Sequence, residues 1–242
     1  MFYFLVAPFL IYNGVLIAAA VIPAVFLMIK VYKSDKLDRE TPYMLWNLIK
    51  AGILAALLAL VEERVLSLIL GMAVPETSPM YNIILYFGIV AFAEESSKYI
   101  CMKKETWNSW EFNCQYDGVV YAVFTSLGFA LWENISYVMT YGFSVAVVRA
   151  VTAIPGHACF GVFMGIFYGI AKRLHYRGEN TASKIMRVFA VVVPALIHGA
   201  YDYIATMAST ESDGYFIVFV LILFVISFIL VGRNAKADRV IS

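Results

Sequence analysis

Charged side chains are scarce in this chain. Asp, Glu, Lys and Arg make up 14% of its 242 residues, whereas a soluble globular domain carries about 25%. The net charge is +1 and no basic segment stands out, which argues against intrinsic disorder and against nucleic-acid binding. Hydrophobic residues reach 62% and the mean hydropathy is +0.79. These proportions indicate a multi-pass membrane protein whose main partner is the lipid bilayer.

Cysteines are few, and two common short motifs of hydrolases are absent. The cysteines number three, so we expect reduced side chains and no disulfide framework. The sequence contains no HExxH and no serine in a nucleophile elbow. Its first 30 residues lack the basic start of a signal peptide and exceed its length, which favours an uncleaved first span. With no repeat, low-complexity tract or long polar segment, a single domain over residues 1–242 is predicted.

Seven apolar stretches are long enough to cross a bilayer, which takes about 20 residues. They are roughly 4–29, 44–71, 81–102, 118–140, 146–171, 185–207 and 215–232. Lys and Arg occur in the connections after the first, third, fifth and seventh stretches, and the other three connections contain none. Because basic residues favour the cytoplasmic side, this alternation predicts an outside N-terminus and a cytoplasmic C-terminus. The predicted fold is all-α: a polytopic helical membrane protein with about seven transmembrane helices.

Several ionisable side chains lie inside the predicted spans. Such a residue at the bilayer centre costs about 2.5–3.5 kcal/mol, so it normally faces a polar cavity or a partner. At about 1.5 Å per helical residue, four of them lie about 18–24 Å from one end of their spans, in the middle of the bilayer. These four come from four different spans: Glu94, Glu133, His157 and His198. The sequence therefore predicts a single intramembrane polar site.

The spacing around Glu94 adds detail to this site. Lys98 follows Glu94 by four residues and Glu95 by three, and both spacings allow an ion pair on one helix. Glu94 and Glu95 differ by about 100° around the helix. We therefore expect one of them to enter the site while the other binds Lys98 or a neighbouring helix. The alternative interpretation of this segment is an ion-paired packing feature without chemistry.

Other polar residues support or surround the site. Asp202 follows His198 by one helical turn, and Pro155 with Gly156 predicts a helix break directly before His157. Three consecutive charged residues of the second span are interpreted as structural: Glu62, Glu63 and Arg64.

Carboxylates and imidazoles in a wet pocket are suited to hydrolysis. A carboxylate can take a proton from water, and an imidazole can return one to the leaving amine. The same residue types can bind zinc, and they also form proton relays in transporters. The residues alone therefore leave a metal-free hydrolase, a zinc enzyme and a proton-coupled transporter open.

Four motifs in chain order resemble those of the PrsW-type intramembrane proteases, within the wider group of CAAX-processing and bacteriocin-processing membrane proteases. The family pattern EExxK falls on Glu94, Glu95 and Lys98, and FxxxE falls on Phe129 and Glu133. The two histidine elements fall on His157 with Gly161 and on His198 with Asp202. The resemblance covers about residues 90–205, within a predicted catalytic core of about 81–207 flanked by peripheral helices in 1–80 and 208–242.

The resemblance implies a glutamic-type endopeptidase of the bacterial plasma membrane. Its implied substrate is a single-span membrane protein, an anti-sigma factor cut in an envelope-stress response. A glutamate and a histidine would activate water, and no cofactor is expected. The implied catalytic residues are Glu94, Glu95, Glu133, His157 and His198, supported by Lys98, Phe129, Asn134 and Asp202. If zinc is bound instead, the five catalytic residues would be its ligands.

Overall fold

The computed structural model describes residues 2–207 and 213–241, and helices make up most of them. They are α1 (Phe2–Ser34), α2 (Pro42–Ala73), α3 (Pro79–Ile83), a π-helical segment (Ile84–Val90), α4 (Ala91–Thr106), α5 (Asp117–Tyr141), α6 (Phe143–Val151), α7 (Ala153–Tyr176), α8 (Asn180–Met207) and α9 (Asp213–Lys236). The only strand-like pairing in the described part is one isolated bridge between Cys114 and Val240. The all-α prediction is confirmed. Residues 208–212, inside the segment predicted to be peripheral, lie outside the described ranges.

Each of the seven apolar stretches is helical, and two of them are irregular. The third forms one continuous helical run through α3, the π-helical segment and α4, and the fifth is divided between α6 and α7. Within the described residues, four helical segments are long and apolar enough to cross a membrane: Asp117–Tyr141, Val147–Tyr176 (across α6 and α7), Asn180–Thr206 and Gly214–Lys236. The protein is therefore a multi-pass membrane protein, whereas the total of seven spans and the orientation of the termini stay predictions.

Helix α5 lies at the centre of the molecule. Every residue from 117 to 130 is buried. A Cβ added to Gly52 of α2 would lie 2.6 Å from the backbone nitrogen of Phe129, and one added to Gly118 would lie 2.6 Å from that of Gly169 in α7. Small residues at these contacts allow the backbones to approach closely. Helices α2 and α7 are thereby held against α5, which carries the polar residues Glu133 and Asn134 in its second half.

The break in the fifth apolar stretch occurs at Thr152, between α6 and α7. Pro155 lies in the first turn of α7, where the missing backbone N–H of proline costs little. The break predicted at Pro155 and Gly156, directly before His157, is not there, because both residues are helical; the stretch is interrupted at Thr152 instead. This interruption separates the short helix that carries Arg149 from the helix that carries His157.

The π-helical segment precedes the two adjacent glutamates of α4. π-Helical turns are rare and often occur at functional sites. A Cβ added to Gly199 of α8 would lie 2.6 Å from the Phe87 ring, so α8 packs tightly on this segment. This contact holds α8, and His198 next to Gly199, against the start of α4.

Candidate active site

The ammonium group of Lys98 lies at the centre of the site. Its Nζ donates hydrogen bonds to Glu94 Oε2 at 3.0 Å, to Glu95 Oε1 at 2.7 Å and towards His157 Nδ1 at 3.1 Å. Lys98 is completely buried. Because an ammonium group has three protons and accepts no hydrogen bond, these three contacts saturate it. They also join α4 to α7.

Both adjacent glutamates reach the same cation. We expected one of them to enter the site while the other binds Lys98 or a neighbouring helix, and in the structure both bind Lys98. Glu and Lys side chains are long, so the i,i+3 and i,i+4 spacings both bring a carboxylate to Nζ despite the offset of about 100°. His198 Nδ1 also lies close to both carboxylates, at 3.0 Å from Glu95 Oε1 and 3.9 Å from Glu94 Oε2.

The tautomer of His157 follows from its contact with lysine. Because an ammonium group can only donate, His157 Nδ1 accepts and the ring proton resides on Nε2. Nε2 then donates to Glu133 Oε2 at 2.8 Å. The Glu133 side chain is 23% exposed, against 5% for His157, so a chain of hydrogen bonds leads from the buried lysine to a more accessible carboxylate.

Arg149 holds this accessible carboxylate in place. Its NH2 nitrogen lies 2.9 Å from Glu133 Oε2, and its Nε donates to Asn134 Oδ1 at 3.1 Å. Helix α6 brings Arg149 to this position. The structure thus makes Arg149 the ion-pair partner of Glu133.

His198 lies between carboxylates of two helices. Its Nδ1 contacts Glu95, and its Nε2 is 3.4 Å from Asp202 Oδ2, one turn further along α8. The ring of Phe160 stacks on the imidazole with centroids 4.5 Å apart. The carboxylates and the ring contact fix the imidazole plane.

Phe129 forms an apolar wall under the cation. Lys98 Nζ lies 4.0 Å from the centroid of its ring, a cation–π distance, and the His157 ring lies 5.5 Å away. The two histidine rings are 5.3 Å apart.

All nine residues singled out from the sequence meet in this region. Arg149, the ion-pair partner of Glu133, was not among those nine residues, and neither was Glu63. Glu63 of α2, taken as structural, lies close enough to Glu94 and Glu133 to interact with their charges. Three consecutive charged residues inside an apolar span were the signal for it.

Four side chains of the site have the donor atoms to hold a metal ion. One ligand atom from each of Glu94, Glu95, His157 and His198 lies within 4.8 Å of the others. Glu133, included in the zinc set from the sequence, is not part of this group. Histidine and carboxylate are ordinary zinc ligands.

The position of Lys98 does not fit a metal in that set. Its Nζ hydrogen-bonds three of the four residues, Glu94, Glu95 and His157, at 2.7–3.1 Å. An ion bound by those three would have to displace the ammonium group, since two cations at one position repel each other. The ammonium group of Lys98 therefore takes the position that a metal ion bound by these three residues would occupy.

Comparison with known proteins points to one family. A family model described as "PrsW family intramembrane metalloprotease" matches residues 40–231. Over 191 residues the chain is 33% identical to "Protease PrsW" of Oceanobacillus iheyensis, covering 78% of this chain and 82% of that protein. It is 30% identical to "Protease PrsW" of Bacillus subtilis, covering 80% and 84%. The protein of the same name from Shouchella clausii is 28% identical and covers 93% and 97%. No solved structure matches the chain.

Proposed function

This chain belongs to the PrsW family of intramembrane proteases, and we propose that it is an endopeptidase that cuts a single-span membrane protein by glutamate and histidine activation of water. The observation that carries the mechanism is the buried network in which Lys98 joins Glu94, Glu95 and His157. Membership of a protease family favours this function over the proton-coupled transporter that the residue types alone left open.

Glu94 is the proposed general base. It is 6% exposed while Glu95 is completely buried, so water and substrate reach Glu94 more easily. Its Oε2 binds Lys98, and no described residue hydrogen-bonds its Oε1. That oxygen is free to take a proton from water as the water attacks the scissile carbonyl.

Glu95 is proposed to position the other groups. Its Oε1 binds both Lys98 and His198, which fixes the cation and the second imidazole together. His198 with Asp202 is proposed to polarise the scissile carbonyl. The Nε2–H group, whose contact with Asp202 is long at 3.4 Å, would be shared with the developing oxyanion when substrate binds.

Glu133 and His157 are proposed to complete the proton transfer. The Nε2–H group of His157 and the NH2 group of Arg149 both contact Oε2 of Glu133. Glu133 begins as a carboxylate, so the proton that it donates must come from the one that Glu94 takes from water. That proton would be relayed through Lys98 and His157 to Glu133, which would pass it to the leaving amine.

The proposed substrate is a single-span membrane protein, with an anti-sigma factor as the specific candidate. We expect the membrane proteome of cells with the wild-type protein to contain a single-span protein that has lost its outer domain. The same protein should stay intact in cells with Glu94→Gln. The matched control is Glu105→Gln, which alters an exposed glutamate at the end of the same helix. Identical membrane proteomes for wild type and Glu94→Gln would contradict the proposed function.

A zinc-dependent protease that uses the same residues is the alternative mechanism. We expect purified active protein to contain less than one zinc per chain and to keep its cleavage rate in a chelator, because the Lys98 ammonium fills the centre of the donor set. Elemental analysis and a cleavage assay with and without chelator make the measurement. One zinc per chain, with cleavage lost on chelation and restored by zinc, would establish the alternative.

A further inference from the structure

A cavity lies between α1, α7 and α9, away from the catalytic network. Its lining comes mainly from residues in 26–31, 155–162 and 224–231, and we call it the α1–α9 pocket. Its volume is about 280 Å³, near the lower end of the range for pockets that hold small molecules. Phe26 and Phe228 border the pocket and are 66% and 62% exposed. The pocket therefore opens towards the bilayer.

The lining of the pocket is apolar apart from three side chains, those of Lys30, Cys159 and Ser227. The other lining residues are aliphatic, aromatic or proline. A surface of this kind is covered more favourably by hydrocarbon than by water. The composition of the lining thus favours an occupant with a hydrocarbon chain.

The pocket runs from the membrane boundary towards the bilayer centre. At one end Lys30 directly follows the first predicted span (4–29). At the other end Pro155 is two residues from His157, whose predicted depth is the middle of the bilayer. The hydrocarbon core is about 30 Å thick, and one leaflet occupies half of it. The pocket therefore has the course and depth of an acyl chain in a single leaflet.

The ammonium group of Lys30, at the boundary end of the pocket, has no anionic partner among the described residues. None of the ion pairs that the described side chains form includes Lys30. Its Nζ instead lies 3.9 Å from the centroid of the Phe228 ring, a cation–π distance. An aromatic ring carries no net charge, so the lysine stays available to an anion. At the membrane boundary the phosphate groups of lipids supply one.

Ser227 supplies a second polar group without a strong partner. The residue lines the pocket and is 4% exposed. No nitrogen or oxygen atom of the described residues hydrogen-bonds its hydroxyl, whose polar neighbour is the thiol of Cys159, a weak partner. A buried hydroxyl in this situation is unfavourable. An ester carbonyl of a lipid in the pocket can accept its hydrogen bond.

We propose that the α1–α9 pocket binds one anionic phospholipid of the predicted cytoplasmic leaflet. The phosphate pairs with Lys30, an ester carbonyl accepts from Ser227, and one acyl chain lies along the apolar lining towards Pro155. Basic pockets between transmembrane helices on the cytoplasmic side bind anionic headgroups in this way. A transmembrane helix of another protein fits this pocket less well, because it would have to bring its own acidic residue to a depth where lipids already supply phosphates.

The bound lipid fastens α1 and α9 to α7, because these three helices supply most of the lining. A ligand that binds only where the helices are packed together stabilises the folded protein, by a factor of 1 + [lipid]/Kd in the ratio of folded to unfolded molecules. Lipid binding can therefore be followed both directly and through the unfolding midpoint. Neither measurement depends on the proposed protease activity.

Native mass spectrometry of the delipidated full chain tests the proposal with two lipids that have the same acyl chains, phosphatidylglycerol and phosphatidylcholine. We expect the wild type to bind one phosphatidylglycerol about fivefold more tightly, the usual effect of one lysine near a membrane surface. Lys30→Gln should bind the two lipids with equal affinity. Lys33→Gln, an exposed lysine three residues further along α1 that does not line the pocket, should keep the wild-type preference.

A second pair of variants tests the apolar part of the pocket without changing a charge. Ser227→Met places a longer apolar side chain in the pocket, so the variant should lose the bound lipid at concentrations that saturate the wild type. Ile226→Met, at the exposed neighbouring position outside the lining, should keep it. The unfolding midpoint of each variant without lipid reports on its fold.

Three results would overturn the proposal. One is equal affinity of the wild type for phosphatidylglycerol and phosphatidylcholine, and another is an unchanged preference in Lys30→Gln. The third is tighter binding of oleate than of phosphatidylglycerol, which would assign the pocket to a free fatty acid. Phosphatidylglycerol should also raise the unfolding midpoint of the wild type more than that of Lys30→Gln, and an equal rise in both would place the lipid elsewhere.

Discussion

Glutamine in place of Glu94 is expected to lower the cleavage rate by about 100- to 10,000-fold, the usual contribution of a positioned general base. The amide oxygen can still accept the Lys98 hydrogen bond, so the network and the fold should persist. The amide cannot take a proton from water. Single-turnover cleavage of a membrane-anchored reporter in proteoliposomes measures the loss, and thermal unfolding of the same sample reports on the fold.

Two comparisons make this prediction specific. Glu105→Gln, at the exposed end of the same helix, should cleave within about twofold of wild type, as expected of a surface substitution away from the site. Glu95→Gln separates the roles of the two glutamates. A large loss in Glu95→Gln beside a small loss in Glu94→Gln would assign the base to Glu95. Retention of wild-type cleavage by both variants would show that neither carboxylate activates water.

Methionine in place of Lys98 is expected to destabilise the protein by about 3–5 kcal/mol, the usual cost of removing one partner from a buried ion pair. Methionine fills a similar volume but donates no hydrogen bond. Two carboxylates and the Nδ1 of His157 would then lose their common donor in a buried site. The denaturant midpoint of the purified protein measures the change, and cleavage should be lost with it.

A double variant distinguishes charge from packing. Because Lys98→Met leaves Glu95 buried without its cation, adding Glu95→Gln should recover part of the lost stability without restoring cleavage. Lys104→Met, an exposed lysine on the same helix, should unfold at the wild-type midpoint. An unchanged midpoint in Lys98→Met would mean that the ammonium group does not hold the site together.

The helical framework could be predicted because the bilayer imposes simple rules. A span needs about 20 apolar residues and its backbone must be internally hydrogen-bonded, so hydropathy identifies helices directly. All seven apolar stretches are helical. The depth of the polar residues also follows from a constant rise per residue. The meeting of Glu94, Glu133, His157 and His198 could therefore be predicted from four separate helices.

The contacts within the site could not be predicted in the same way. Helical periodicity gives the direction of a Cα–Cβ bond and not the position of a carboxylate two or three bonds further out. Glu94 and Glu95 consequently reach the same ammonium group although the helix turns by about 100° between them.

By itself the sequence determined that this protein is a helical, multi-pass membrane protein. It also predicted one intramembrane polar site, and its motifs pointed to the protease family. Those properties depend on hydropathy, rise per residue and motif spacing, which are local. The tertiary structure decided that Lys98 is the centre of the site and that Arg149 pairs with Glu133. These contacts depend on how helices and connections pack and on side-chain rotamers, which join residues far apart in the chain.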